Sequence, residues 1–223
     1  MKTTKTTIPT DFRNVTDKGS VRYALSGVCI ASKPGELKAV AVATDGRCLA
    51  ALPVQLDGEP LSEVYDENNG EFAVLPHQLL HSPNKKRPQR VVMNGRVEID
   101  DKIGDYVDGR FPAIGYTLAP CKQKNLEGRV AVTIDVALLA AVASALQTND
   151  DLKEARGVTL LIDPEDPNNS PVLVSAGTSG GVGVVMPMVG YRDSSAMMAA
   201  KWKERSQAIV DRLPGSLRGK LED

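Results

Sequence analysis

Apolar residues along this chain fall in short runs broken by Gly, Asp, Asn and Pro, the rhythm of strands joined by tight turns. Residues 21–30 (VRYALSGVCI) have strand character, with Gly27 a candidate bulge. Residues 37–43 (LKAVAVA) and 48–54 (CLAALPV) flank Thr44-Asp45-Gly46-Arg47. Asp-Gly between two apolar runs predicts a hairpin with a type I′ turn, which needs positive φ at both central residues. A polar, acidic loop is expected over residues 57–70.

A second group follows. Residues 71–75 (EFAVL) predict a strand, and residues 76–81 (PHQLLH) a short helical stretch with Pro at its first position. Residues 91–99 (VVMNGRVEI) predict a second type I′ hairpin, about Asn94-Gly95. The third group holds the clearest helix. Residues 129–134 (RVAVTI) predict a strand, and Asp135 is a candidate N-cap. Residues 136–146 (VALLAAVASAL) are apolar on nearly every side, so that helix must pack against a sheet. Strands are expected at residues 158–162, 172–176 and 182–189. The tail predicts a helix from Ser194 or Ser195 to about Leu213, with Met198, Trp202, Ile209 and Leu213 along one side. Pro214-Gly215 stops it, and Lys201, Lys203, Arg205 and Arg212 give it a basic face.

Groups two and three thus share one order, a strand, a helix and further strands, and the first keeps only strands. This is a repeat of roughly 60 residues in element order rather than in residue identity. The fold class expected is α+β: antiparallel sheets with few helices packed on one face, plus a C-terminal helix.

Composition narrows the classes of function. Hydrophobic residues are 42% and charged residues 25%, as in ordinary globular proteins. A net charge of -1 supplies no global field for nucleic acid, so any DNA contact must come from local clusters. The scarcity of aromatic residues weighs against a lectin-like or base-stacking surface. Three cysteines without a CxxC pair fit unpaired thiols in a reducing compartment. The polar first ten residues lack the apolar core of a secretory signal, and no run of about 18 apolar residues exists. A cytoplasmic protein without membrane contact is expected.

Three segments, in order, resemble the bacterial DNA polymerase III β subunit, the sliding clamp. Residues 42–50 (VATDGRCLA) are similar to that family's VATDGHRLA, with Arg47 and Cys48 in place of His-Arg. Asp108 to Pro112 (DGRFP) resembles its DGRFPDY, and residues 184–188 (VVMPM) its VVMPMRL. The resemblance implies a DNA-clamp-like fold, with sheets outside and helices facing a central hole for duplex DNA. It divides the chain into a clamp-like domain over residues 1–122, similar to the family's middle domain without its first helix. A clamp-like half-domain follows over residues 123–190, then a helical tail over residues 191–223. It also implies a hydrophobic pocket for short peptides of DNA polymerase and other partners. Carried over residue by residue, its candidates are Thr44, Gly46, Leu49, Pro120, Val184, Met186, Pro187 and Met188. Methionine suits that task, being flexible and polarizable. The competing reading makes Met186 and Met188 ordinary strand residues packed on the core or the tail helix.

Lys85, Lys86, Arg87 and Arg90 form the candidate DNA contact, because Lys and Arg bind phosphates without regard to sequence. A solvated basic turn explains the same run. The apolar helix over residues 136–146 holds no Lys or Arg, so Lys201, Lys203 and Arg205 are the alternative cations. The glycine-rich 177–183 segment (GTSGGVG) lacks the following helix and Lys of a phosphate loop and is read as a hairpin loop. Asp100, Asp101, Asp105 and Asp108, and Asp163, Glu165 and Asp166, lack calcium-loop spacing and are read as turn acids. His77 and His81 stand four apart but lack a third ligand.

No catalytic constellation and no cofactor are expected. The chain is expected to be a homo-oligomeric, sequence-independent clamp on double-stranded DNA, a processivity factor in replication. The alternative is a truncated clamp homologue that binds partner peptides without encircling DNA.

Overall fold

A computed structural model describes residues 2–13, 15–16, 23–46, 48–65, 67–81, 88–118, 130–146, 158–176, 182–188 and 195–219. It is an α+β architecture of three antiparallel sheets with few helices. The chain forms two compact units: residues 1–122 with 204–223, and residues 123–203.

The first unit holds two sheets. The four-stranded sheet runs β4 (Leu49–Gln55), β3 (Lys38–Thr44), β2 (Gly27–Ser32), β6 (Phe72–Pro76). The five-stranded sheet runs β5 (Asp57–Gly58), β1 (Thr4–Ile8), β7 (Gln89–Met93), β8 (Val97–Ile99), β9 (Lys102–Gly104). The near-continuous apolar runs of β2, β3 and β6 follow from burial on both faces. One face, with Val28, Ile30, Ala41 and Leu75, packs on Ile8, Val91, Met93 and Ile99 of the other sheet. The opposite face, with Cys29, Ala31, Val40, Val42, Phe72 and Val74, is covered by Phe111, Ile114, Ile209, Leu213 and Leu217. The tail therefore closes this core: Ile114 N–H donates to Leu217 O at 2.9 Å, and Ser206 Oγ donates to Leu118 O.

The polar residues near the N-terminus carry no apolar strand pattern, yet β1 is the second strand of the five-stranded sheet. Its buried Thr4, Thr6 and Ile8 alternate with exposed Lys5 and Thr7. The buried hydroxyls are satisfied, Thr6 Oγ1 donating to Gln55 O at 2.9 Å and Thr4 Oγ1 to Asp57 O at 3.4 Å. The strand expected over residues 21–30 starts only at Gly27, after a 3-10 turn at Tyr23–Ser26; residues 21 and 22 lie outside the described residues. The expected loop over residues 57–70 contains β5, the one-turn helix α1 (Leu61–Val64) and a 3-10 turn at Glu67–Gly70.

Both type I′ expectations also change. Thr44 pairs with Leu49, which leaves a four-residue connection, and Met93 pairs with Val97, which leaves three. Gly46 and Gly95 take positive φ, but Asp45 and Asn94 do not. The Asp45 carboxylate instead ties the first loop by accepting the Cys48 N–H at 2.7 Å. Positive φ at both turn centres occurs at Asp100 and Asp101, between paired Ile99 and Lys102, at +46° and +73°. The acids read as turn residues at that place are the ones with positive φ at both centres, which Asp tolerates.

The second unit carries α3 (Val136–Leu146) on a three-stranded sheet, β10 (Val158–Leu161), β11 (Val172–Ala176), β12 (Val182–Val185). Asp135 caps α3: its Oδ1 accepts the N–H of Ala137 at 2.7 Å and of Leu138 at 3.3 Å. As expected of so apolar a helix, α3 packs on β11 and β12. The described residues of the expected 129–134 strand, 130–134, form no regular strand, although Met188 N–H donates to Thr133 O at 2.9 Å. Helix α4 (Ser195–Val210) begins in this unit, and its last turns belong to the first unit. The tail helix stops at Val210, ahead of Pro214 as expected, and Pro214 then N-caps the one-turn helix α5 (Gly215–Arg218), which meets the one-turn helix α2 (Gly115–Leu118) in the first unit.

Candidate functional site

Thr44, Gly46 and Leu49 stand at the β3–β4 connection of the first unit. Thr44 is buried. Its Oγ1 donates to Cys48 O at 2.7 Å and accepts the Gly46 N–H at 3.1 Å. Gly46 is exposed and Leu49 half-buried, so the loop tip offers backbone and one apolar side chain. The exposed Cys48 thiol donates to Asp45 Oδ1 at 3.3 Å, and this carboxylate holds the thiol above its ordinary pKa. Cys29 in the core is raised well above its own by burial alone. Pro120 lies outside the described residues.

Val184, Met186, Pro187 and Met188 stand in the second unit, on and just after β12. Val185 and Pro187 are buried, whereas Val184, Met186 and Met188 are exposed at 53%, 55% and 39%. Period-two alternation explains the split. The reading of Met186 and Met188 as packed core residues is therefore not met. Three exposed, adaptable apolar side chains line one side of an extended segment. Opposite Val184, β11 presents Leu173, and opposite Leu173, β10 presents Leu161; both are exposed as well.

Of the candidate DNA contacts, Lys85, Lys86 and Arg87 lie outside the described residues. Arg90 is exposed on β7, opposite Thr7 of β1. With Lys5, Thr7, Gln55 and Asp57 it lines an open concavity of about 530 Å³ on the outer side of the sheet. Lys201, Lys203 and Arg205 are exposed along α4; Arg212, just after it, is half-buried.

His77, His81 and Asp163 each have a local partner. His77 Nδ1 lies 2.6 Å from Thr16 Oγ1, while His81 Nε2 pairs with Asp100 Oδ2, so the two rings have separate partners. Asp163 accepts Glu165 N–H at 2.9 Å and Ser170 Oγ–H at 3.1 Å, bonds that lower its pKa and fix a turn. Residues 177–181 of the glycine-rich segment lie outside the described residues. Among the described residues no three His, Cys, Asp or Glu side chains gather as a metal site. No described helix is long and apolar enough to cross a membrane.

Two exposed features are thus on view, an apolar strand segment at Val184–Met186–Met188 and a cation-bearing sheet face at Arg90, in a protein of antiparallel sheets and few helices. In fold the chain is similar to bacterial β sliding clamps. The C. crescentus β sliding clamp matches at 20% identity and a TM-score of 0.49, over 78% of this chain and 46% of that one. The Pseudomonas aeruginosa DNA polymerase sliding clamp matches at 17% and 0.49, over 79% and 47%. The Helicobacter pylori β clamp matches at 12% and 0.48, over 93% and 56%. The chain thus spans about half the length of these proteins. No family model and no curated protein matches it.

Proposed function

We propose that this protein acts by binding rather than by chemistry, as a shortened clamp that tethers partner proteins to duplex DNA. The observation that carries the reading is the exposure of Val184, Met186 and Met188 along a segment whose VVMPM sequence resembles a clamp's peptide-binding strand. An apolar strip with few polar groups suits short peptides with apolar anchors. Met side chains adapt to varied anchors at little cost. Thr44, Gly46 and Leu49 are the second set of peptide contacts on this reading, with Pro120 as a further one. DNA contact falls to Lys85, Lys86, Arg87 and Arg90 and to the exposed α4 cations, through the phosphates alone. The working form is a cytoplasmic assembly of several copies.

Two titrations test this reading. A labelled clamp-binding peptide is followed by anisotropy against wild type and against the Met186→Lys, Met188→Lys double variant. Binding that weakens at least tenfold in the variant supports the pocket; unchanged binding removes it. Retention on circular duplex DNA is then read against salt. Loss of retention with rising salt supports tethering. Peptide binding with no retention at low salt leaves the alternative, a regulatory module that competes for clamp partners off DNA.

A further inference from the structure

The strand edges of the two units are treated differently. Among the described residues of the first unit, the edge strands are short, interrupted or already used. β5 has two residues; β9 has three and begins with Lys102. β4 carries Pro53, and the outer edge of β6 is used by Val107, whose N–H donates to Val74 O at 2.9 Å. Such devices stop an edge from pairing with another chain. β10 has none of them. Its residues, Val158, Thr159, Leu160 and Leu161, hold no charge and no proline, and among the described residues its outer edge carries no strand.

The sheet orders sharpen this. β2–β3–β4 and β10–β11–β12 are both antiparallel three-strand meanders. In the first unit a fourth strand, β6, pairs antiparallel along the edge of β2, the first strand of its meander. The equivalent edge in the second unit is that of β10. The outward face of that sheet is apolar: Leu161 of β10, Leu173 of β11 and Val184 of β12 stand side by side and are all exposed. Ordinary protein surfaces seldom gather apolar side chains in this way without a partner.

We infer that the outer edge of β10 is a dimer interface, paired antiparallel with β10 of a second copy about a two-fold axis through Leu160. That register sets Leu160 against Leu160 of the copy, and Thr159 against Leu161. An axis perpendicular to the sheet keeps α3 of both copies on one face and makes a continuous six-stranded sheet. A second copy fits because self-pairing brings no like charges together, and no charged residue of β10 loses water. The pairing also satisfies the backbone groups of a strand whose opposite edge is already used by β11. This assigns a surface to the assembly proposed above but rests on the strand edge alone, so it stands or falls apart from DNA or peptide binding.

The test is sedimentation velocity on the full chain over a wide concentration range. Wild type is expected to dimerise. Thr159 and Leu161 are exposed, so Thr159→Lys, Leu161→Lys is expected to keep the far-UV circular dichroism of the wild type while setting Lys against Lys twice. Its dimer should weaken by about tenfold or more. Mixing it with the Thr159→Glu, Leu161→Glu variant should restore a dimer between the two. If the double exchange does not fold, the single Thr159→Lys exchange should still shift the dimer midpoint to higher concentration. A wild-type monomer at every concentration, or a dimer that ignores these exchanges, would overturn the inference.

Discussion

In the first unit the meander β2–β3–β4 is buried on both faces, by the five-stranded sheet on one side and by Phe111 and the end of the tail on the other. In the second unit β10–β11–β12 is covered by α3 and buries only Val172, Val174 and Val185, while Leu161, Leu173 and Val184 face out. Of the thirty-six buried apolar residues described, these three are the second unit's whole share. At about 25 cal/mol per Å² of apolar surface, a core that small returns little against chain entropy. The same strand plan thus carries two covers in the first unit and one in the second. The first unit holds most of the buried apolar side chains, and the second most of the exposed ones.

The contrast can be broken most sharply at Leu213, which is fully buried under the first unit's second face. Leu213→Ala should cost about 2–5 kcal/mol in the urea unfolding of that unit. A loss below about 1 kcal/mol would mean that the tail is not part of the core. Next comes Gly115, where a Cβ would stand 2.3 Å from Arg218 O. Gly115→Ala should cost about 1–3 kcal/mol by forcing α2 and α5 apart, read by the same denaturation. In the second unit Asp135→Ala should cost about 0.5–2 kcal/mol through the lost cap of α3, visible as faster amide exchange at Ala137 and Leu138. Met186→Lys should change stability by less than about 0.5 kcal/mol, because the side chain is already exposed. It should nevertheless weaken peptide binding.

The smallest effect concerns Cys48. Asp45 raises its pKa, so less thiolate is present at a given pH than in a free thiol. Alkylation should therefore rise with pH, and Asp45→Asn should speed it at pH 8. Peptide mapping by mass spectrometry would separate Cys48 from buried Cys29, which should stay unreacted.

Much of this was legible from residue pattern. The apolar runs that became β3, β4, β7 and β8, the capped helix α3 and the tail helix follow from periodicity and from one N-cap. β1 was not legible, because its inward residues are mostly threonines whose hydroxyls need β4 and β5 carbonyls to be buried. The turn types were missed for a related reason. Asp45 and Thr44 tie their loop with side-chain bonds, which compete with the backbone preference for Asp-Gly. The double cover of β2–β3 was only half legible. LKAVAVA signals burial on both faces but does not say that residues near 209–217 supply the second one. For the candidate site, the sequence left Met186 and Met188 between core and pocket. Their outward direction depends on which parity of the strand meets α3, and composition does not carry parity.

On the proposed pairing, the second unit needs a partner that the first unit does not. Amide exchange of the intact chain, followed by mass spectrometry at two concentrations a hundredfold apart, tests this directly, since binding of a second copy stabilises by mass action. Protection over β10 and β11 should rise with concentration while β2, β3 and β6 stay constant. Equal protection at both concentrations throughout the chain, or a rise shared by both units, would contradict it.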